Sequence, residues 1–339
     1  MTRLMALLSF TVLALFVVSL LTGPAEVTSG DSLAALWDDS YGPLTLVMRE
    51  IRLPRALLAI VIGGGLGLAG AAMQGYLRNP LAEPGLIGVS SSAALGAVLA
   101  INTGLAATLS LGLPLSALGG ALLGVFLVMA LAGSQGGSQG GTPGGTQGGS
   151  LTLILAGIAI SALAAALTSL VLNLSPNPFA ANEIVFWMMG SLADRSLTHL
   201  WLLLPFALTG AVILLRLGPG LDALTLGEDA AQTMGVNLSR MRLLLVLGTA
   251  SIIGGTTAIA GAIGFVGLVV PHILRPFVAA QPSRLLWASA LGGAVMVQLA
   301  DIAVRVILPA RDLKLGVVTA LVGAPLFLHL IYKTRKELA

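Results

Sequence analysis

Apolar residues fill this chain in long blocks, and its polar positions gather between the blocks at prolines, glycines and charge clusters. A helix rising about 1.5 Å per residue needs roughly 20 mostly apolar residues to cross a bilayer core about 30 Å thick. The unbroken run Leu4 to Leu21 has that length. Breaking the sequence at its Pro, Gly and charge punctuation predicts ten spans, near 4–22, 54–76, 86–103, 112–132, 151–173, 199–217, 241–261, 265–279, 285–307 and 315–332. The expected fold is an all-α polytopic membrane protein forming one transmembrane domain over residues 1–339. The first run is longer than the roughly 7–15 apolar residues of a secretory leader, so it is expected to be a span that is kept.

Composition agrees. Of 339 residues 56% are hydrophobic and 9% charged, with mean hydropathy +0.98, whereas an ordinary globular domain is about one-quarter charged. The chain has no cysteine and only His199, His272 and His329. That removes thiolate metal sites, disulfides and cysteine nucleophiles, and argues against a histidine cluster. No metal, no cofactor and no nucleic-acid partner are expected; the lipid bilayer is the expected surrounding.

Charge gives an orientation. With the N-terminus inside, Arg3, Arg78, Arg216, Arg240, Arg242, Arg275, Arg284, Lys333, Arg335 and Lys336 face the cytoplasm. Arg49, Arg52, Arg55, Arg195, Arg305, Arg311 and Lys314 face outward, a ten-to-seven bias that puts both termini in the cytoplasm. The stretch "GSQGGSQGGTPGGTQGGS", 133–150, then reads as a flexible cytoplasmic linker. "SPNPFAANEIVFWMMGSLADRS", from Ser175 to Ser196, is semi-apolar and broken by prolines, as suits a short amphipathic helix at the interface. Glycines inside the spans, such as Gly63 and Gly67, predict close helix packing, because membrane helices associate through small residues.

Several motifs dissolve on inspection. "GLGLAG", 65–70, matches a dinucleotide fingerprint but lies inside an apolar helix, without the strand or the acid that motif needs. "GVSS", Gly88 to Ser91, with His272 as a base, is a thin basis for a serine hydrolase, since nothing places the base beside the nucleophile. None of Lys314, Lys333 and Lys336 lies in a phosphate-binding loop, so any ATP must be hydrolysed by a partner. Asp301 and Arg305, spaced i,i+4, can neutralise each other within a span. In "VVPHILRP", Pro271 and Pro276 should break the helix around His272 and Arg275, where a bend lines a cavity or is buried in protein.

Taken together, "RLPRALLAIVIGGGLGLAGAAMQGYLRNPLAEPGLIGVSSSAALGA", "LGEDAAQTMGV", "GAIGFVGLVVPHILRP", "LADIAVR" and "LGVVTALVGAPLFLHLI" resemble the FecCD-type permeases of bacterial importers for iron-siderophores, haem and cobalamin. The resemblance covers nearly the whole chain. It implies a homodimer of ten-helix subunits in the inner membrane, with a dimer of cytoplasmic ABC ATPases below and a periplasmic substrate-binding protein above. It further implies that the loop 222–242 docks on the ATPase, with Gly227, Glu228, Ala231, Gly235 and Arg240 at the matching places. Gly227 and Gly235 can bracket one short helix whose first turn holds Glu228 and Asp229, where the helix dipole favours acids. Arg52, Arg55 and Arg305 match positions that meet acidic residues of the binding protein in the cobalamin-importing member, a contact suited to bidentate guanidinium groups.

Gln74, Asn79, His272 and Arg275 are candidate pathway or gate residues, and Ser150 with Leu151 falls where the family narrows its inner gate. The chain departs from the family at Ser92, where Gly is common, and at "DLKLG", Asp312 to Gly316, where Glu-Leu-Pro is common. The resulting expectation is a non-enzymatic permease moving an iron chelate by alternating access, with cobalamin the alternative. An ion-coupled secondary transporter would need ionisable groups near the midplane, and the acids fall mostly at span ends or in loops, Asp301 excepted.

Overall fold

The computed structural model describes residues 1–23, 28–133, 147–175, 178–307 and 313–338, and every regular element among them is helical. The main helices are α1 (Thr2–Leu21), α2 (Leu53–Leu77), α3 (Val89–Asn102), α4 (Gly112–Gly133), α5 (Gln147–Leu174), α6 (Pro178–Met188), α7 (Leu197–Arg216), α8 (Gly218–Leu224), α9 (Glu228–Thr233), α10 (Leu238–Ala260), α11 (Val266–Leu274), α12 (Pro282–Ile307) and α13 (Leu315–Leu338). Among the described residues, seven helices are long and apolar enough to cross a membrane: α1, α2, α4, α5, α7, α10 and α12. Each of the ten predicted spans coincides with a helix, but α3, the α11 region and the apolar part of α13 are shorter than the seven.

Two boundaries differ from expectation. The linker expected over 133–150 gives way at Gln147 to the first turn of α5, which extends the following apolar helix backwards. Residues 134–146 of that linker lie outside the described residues. Pro271, expected to break its helix, sits inside α11, and the helix instead tightens to a 3-10 turn at Arg275–Val278. A proline removes one N–H donor and frees the carbonyl four residues earlier; that carbonyl, Gly267, meets the Gln74 side chain of α2.

Gly63 and Gly67 do set the central packing. A methyl at Gly63 would overlap the carbonyl of Gly293 on α12, and one at Gly67 would overlap the carbonyl of Ser289. Gly70 is pressed in the same way against the backbone of Gly267 on α11. Backbones this close gain dispersion contact along the whole crossing, the main adhesive available between helices in lipid. The α2 face is accordingly buried from Ala56 to Gln74, while α1, α4, α5 and α7 keep much of their surface outward.

Because α2 is 25 residues long, about 37 Å at helical rise, it separates two polar ends. Arg55 marks one end and Arg78, just past its C-terminus, the other. After Arg78, which takes the left-handed conformation (φ 47°), the chain does not continue outward. It turns back until Pro84 lies against Gly267, level with Leu66. Leu66 is close to the middle of α2, so α3 starts from half depth and needs only 14 residues. The stretch expected to hold a short interfacial helix forms the helix α6, packed through the fully buried Ile184 against Val98 and Ile101 of α3.

Candidate functional site

At the Arg78 end, the loop between α7 and α10 is built as two short helices. Gly227 (φ 107°) precedes α9, and Gly235 (φ 86°) ends it. There the Val236 N–H donates to the Ala231 carbonyl (3.0 Å) and the Gly235 N–H to the Gln232 carbonyl (2.9 Å), the double bond pattern that closes a helix through a left-handed residue. Only glycine holds that conformation without a Cβ penalty. Ala231 is fully buried beneath the helix, Glu228 lies 3.4 Å from Arg78, and Arg240 is exposed with its backbone N–H capped by Asn237. All five sequence-selected residues of this loop therefore sit on or beside one short, surface-presented helix.

One residue of the loop that sequence reasoning did not single out fixes the assembly in place. Asp222 of α8 accepts from the Ser283 N–H (2.8 Å), the Ser283 hydroxyl (2.6 Å) and the Gln281 amide (2.9 Å), all at the start of α12. A carboxylate at a helix N-terminus is stabilised by the free N–H groups and the dipole. Burial pushes the Asp222 pKa up, but the bonds from Ser283 and Gln281, with Arg284 nearby, more than offset it and leave it below the ordinary 3.8. The only sequence signal was an acid placed shortly after "GPG", ahead of the charged stretch.

At the opposite end, the arginines selected for docking are engaged internally. Arg52, 5% exposed, donates to the carbonyls of Leu20 (3.0 Å) and Leu21 (3.4 Å). Arg305 donates to the carbonyls of Ser19 (2.8 Å) and Thr22 (2.9 Å) and to the Ser19 hydroxyl (2.6 Å). Both guanidinium groups thus satisfy the last carbonyls of α1, where the dipole favours cations. Asp301, 1% exposed, lies 2.8 Å from Arg55 and 2.8 Å from Arg305, joining α2 to α12. The i,i+4 pair read from sequence is therefore one half of a three-residue bridge.

Between the ends, the structure brings Gln74 and Arg275 together. Gln74, 1% exposed, donates to the carbonyls of Gly267 (3.4 Å) and Leu268 (3.1 Å), while its own oxygen accepts from Arg275 (2.8 Å). His272 lies on the same helix as Gly267 and Leu268 and is partly buried. Asn79 is exposed at the α2 terminus, where its side chain accepts from the Leu81 N–H (2.9 Å) and shapes the turn back into the bundle. Ser150 falls on the first turn of α5 and its side chain lies outside the described residues. The departure at Ser92 is accommodated by Gly124 of α4, whose missing side chain leaves room for the Ser92 hydroxyl.

The arrangement is a helical membrane scaffold with a short, surface-presented helix at one end, an ion-pair clamp at the other and broken helices between. This is the build of an ABC transporter permease, a multi-pass transport subunit rather than an enzyme. A profile of the FecCD transport family matches residues 11–333, and the chain belongs to that family. It is 36% identical over 293 residues to the ABC transporter permease YvrB of Bacillus subtilis, covering 86% of this chain and 80% of that protein. It is 34% identical over 334 residues to the vitamin B12 import system permease BtuC of Citrobacter koseri, covering 98% and 95%. A solved metal-chelate type ABC transporter in an inward-facing conformation superposes with a TM-score of 0.83 at 34% identity, covering 98% of this chain and 100% of that one. PsaBC from Streptococcus pneumoniae, at TM-score 0.54 and 14% identity over 89% and 94%, shares the fold alone.

Proposed function

We propose that this chain is the permease subunit of an ATP-driven importer for an iron chelate, a siderophore complex or haem. It acts as one ten-helix domain, paired with a second copy in the bacterial inner membrane, with both termini in the cytoplasm. A dimer of ABC ATPases docks at the α8–α9 end, and a periplasmic binding protein delivers substrate at the opposite end. ATP-driven closure of the ATPases moves α9, the bundle rearranges, and the chelate passes inward without covalent change.

The observation that carries this reading is the α8–α9 element. A coupling surface must be water-facing yet rigid enough to pass on force, and α9 meets both needs. Its outer face is polar, its ends are fixed by Gly227 and Gly235, and Ala231, Arg78 and the Asp222 contacts tie it to α2 and α12. Gln74, Arg275 and His272 lie along the interior where helices are broken, which suits a pathway or gate. Asn79 at the turn, and Ser150 at the head of α5, suit its inner mouth. Docking of a binding protein through Arg52, Arg55 and Arg305 requires its carboxylates to compete with Asp301 and the α1 carbonyls. Cobalamin is the second reading, favoured by full-length similarity to vitamin B12 permeases.

The test is Glu228→Ala with Arg240→Ala in the complex reconstituted with its ATPase and binding protein. Expected is assembly of the complex with ATP hydrolysis no longer matched by uptake. Normal coupling in the double variant defeats the assignment of this loop, and uptake that persists without ATPase or nucleotide defeats the importer reading altogether. Binding of ferric siderophore, haem and cobalamin to the partner binding protein decides the substrate.

A further inference from the structure

Behind the turn that carries α3 into the bundle lies a cavity of about 210 Å³, lined by Glu83, Ser90, Ser91, Thr257 and the backbone of Gly261–Gly264. It sits level with Leu66, near the middle of α2, and so about half-way between the two polar ends. No Lys, Arg or His lines it. Glu83 has no ion pair among the described residues; its carboxylate accepts one bond, from the Phe265 N–H at the start of α11 (3.2 Å). Glu83 is partly buried, and the N-terminal end of a helix offers roughly half a positive charge, less than a full carboxylate carries. Thr257 is 4% exposed, and its hydroxyl has no partner among the described residues. The Ser90 and Ser91 hydroxyls are likewise unbonded there, which gives the "GVSS" stretch a use other than nucleophilic attack.

From one uncompensated carboxylate, three free hydroxyls and a broken-helix backbone facing one space, we infer that this cavity is a binding site for a hard monovalent cation. An all-oxygen lining suits Na⁺ or K⁺, since softer metals prefer thiolate or imidazole. A single carboxylate is short of the several that divalent sites gather. Unwound backbone beside a helix C-terminus, here the end of α10 at Ala260, is the kind of place where membrane proteins hold such ions. The volume is well above the roughly 10–15 Å³ that one water needs on this measure, room for an ion that keeps part of its hydration. Bound there, the ion ties the turn 83–91 to the end of α10 and the start of α11. The inference is independent of the substrate carried, and an oxygen site of this kind has no Cys or His signature in a sequence.

The experiment is thermal unfolding of the purified full-length protein in detergent, in NaCl, KCl or N-methyl-D-glucamine chloride at equal ionic strength. Expected is a melting temperature higher by about 2 °C or more in one alkali salt, saturating with concentration as ligand linkage requires. In Glu83→Gln the three salts should give the same value. Thr257→Val keeps the charge and the shape, and should shift the half-saturating concentration upward by about threefold or more, the effect of one neutral ligand. Wild-type protein indifferent to the choice of cation overturns the proposal. A cation response retained in full by Glu83→Gln or, if that variant does not fold, one unchanged in Thr257→Val, does so as well. Neither result bears on ATP-coupled uptake, so the two readings fail separately.

Discussion

Replacement of Asp222 by Ala removes the acceptor for three bonds at the head of α12. A hydrogen bond to a charged group contributes about 1.5–3 kcal/mol, and loss of an N-cap interaction alone costs about 0.5–2 kcal/mol. Asp222 is only partly buried, so water recovers some of the loss. The expected destabilisation is therefore about 2–4 kcal/mol. Its pH dependence has a definite sign. The folded-state pKa lies below the ordinary 3.8, so the contribution is full above that value and disappears as pH falls through the lowered pKa. Unfolding in mixed micelles at pH 7 and at pH values stepped below 3.8 reads both effects, and the stability lost by Asp222→Ala should be largest at pH 7 and shrink as the pH falls below 3.8. A companion assay measures ATP hydrolysed per substrate imported in the reconstituted complex, where loosening α8 from α12 should raise the ratio. A variant within about 0.5 kcal/mol of wild type at pH 7, with an unchanged ratio, refutes the claim that Asp222 anchors the proposed coupling element.

Two further outcomes follow from the packing. Gly67→Ala drives a methyl into the Ser289 carbonyl and should cost about 1–3 kcal/mol in the same micellar unfolding assay; Gly75→Ala, which meets only ordinary contact at 3.4 Å, should be neutral or stabilising. Asp301→Ala strands Arg55 and Arg305 in a buried site and should cost about 3–5 kcal/mol, with Asp301→Asn losing less; equality with wild type rejects the clamp.

The seven long helices were legible in the sequence because a bilayer crossing sets a minimum length for an apolar run, and lipid leaves the backbone no partner but itself. Gly63 and Gly67 could be assigned to close packing for the same reason, but their partners Gly293 and Ser289 lie more than two hundred residues away and no local pattern names them. Pro271 misled because the helix-breaking rule assumes an unanswered carbonyl, and Gln74 answers it from another helix. The bracketing of α9 by Gly227 and Gly235 was readable, since positive φ selects glycine. The engagement of Arg52 and Arg305 was not, because the carbonyls they serve belong to α1 and only tertiary folding brings them near. The setting of Glu83 depends on a turn that folds back to half depth, which no local pattern announces.

The glycine seam between α2 and α12 also imposes a schedule on biosynthesis. About 200 residues separate the end of α2 from the start of α12, and at about 5–20 residues per second the ribosome needs roughly 10–40 s to supply them. Throughout that interval α2 stands in the bilayer with its small-residue groove, and its glutamine at position 74, lacking the helices that complete them. The central pair of the bundle is thus among the last contacts to form, and the nascent chain depends on lipid or the insertion machinery to shield that groove until α12 emerges.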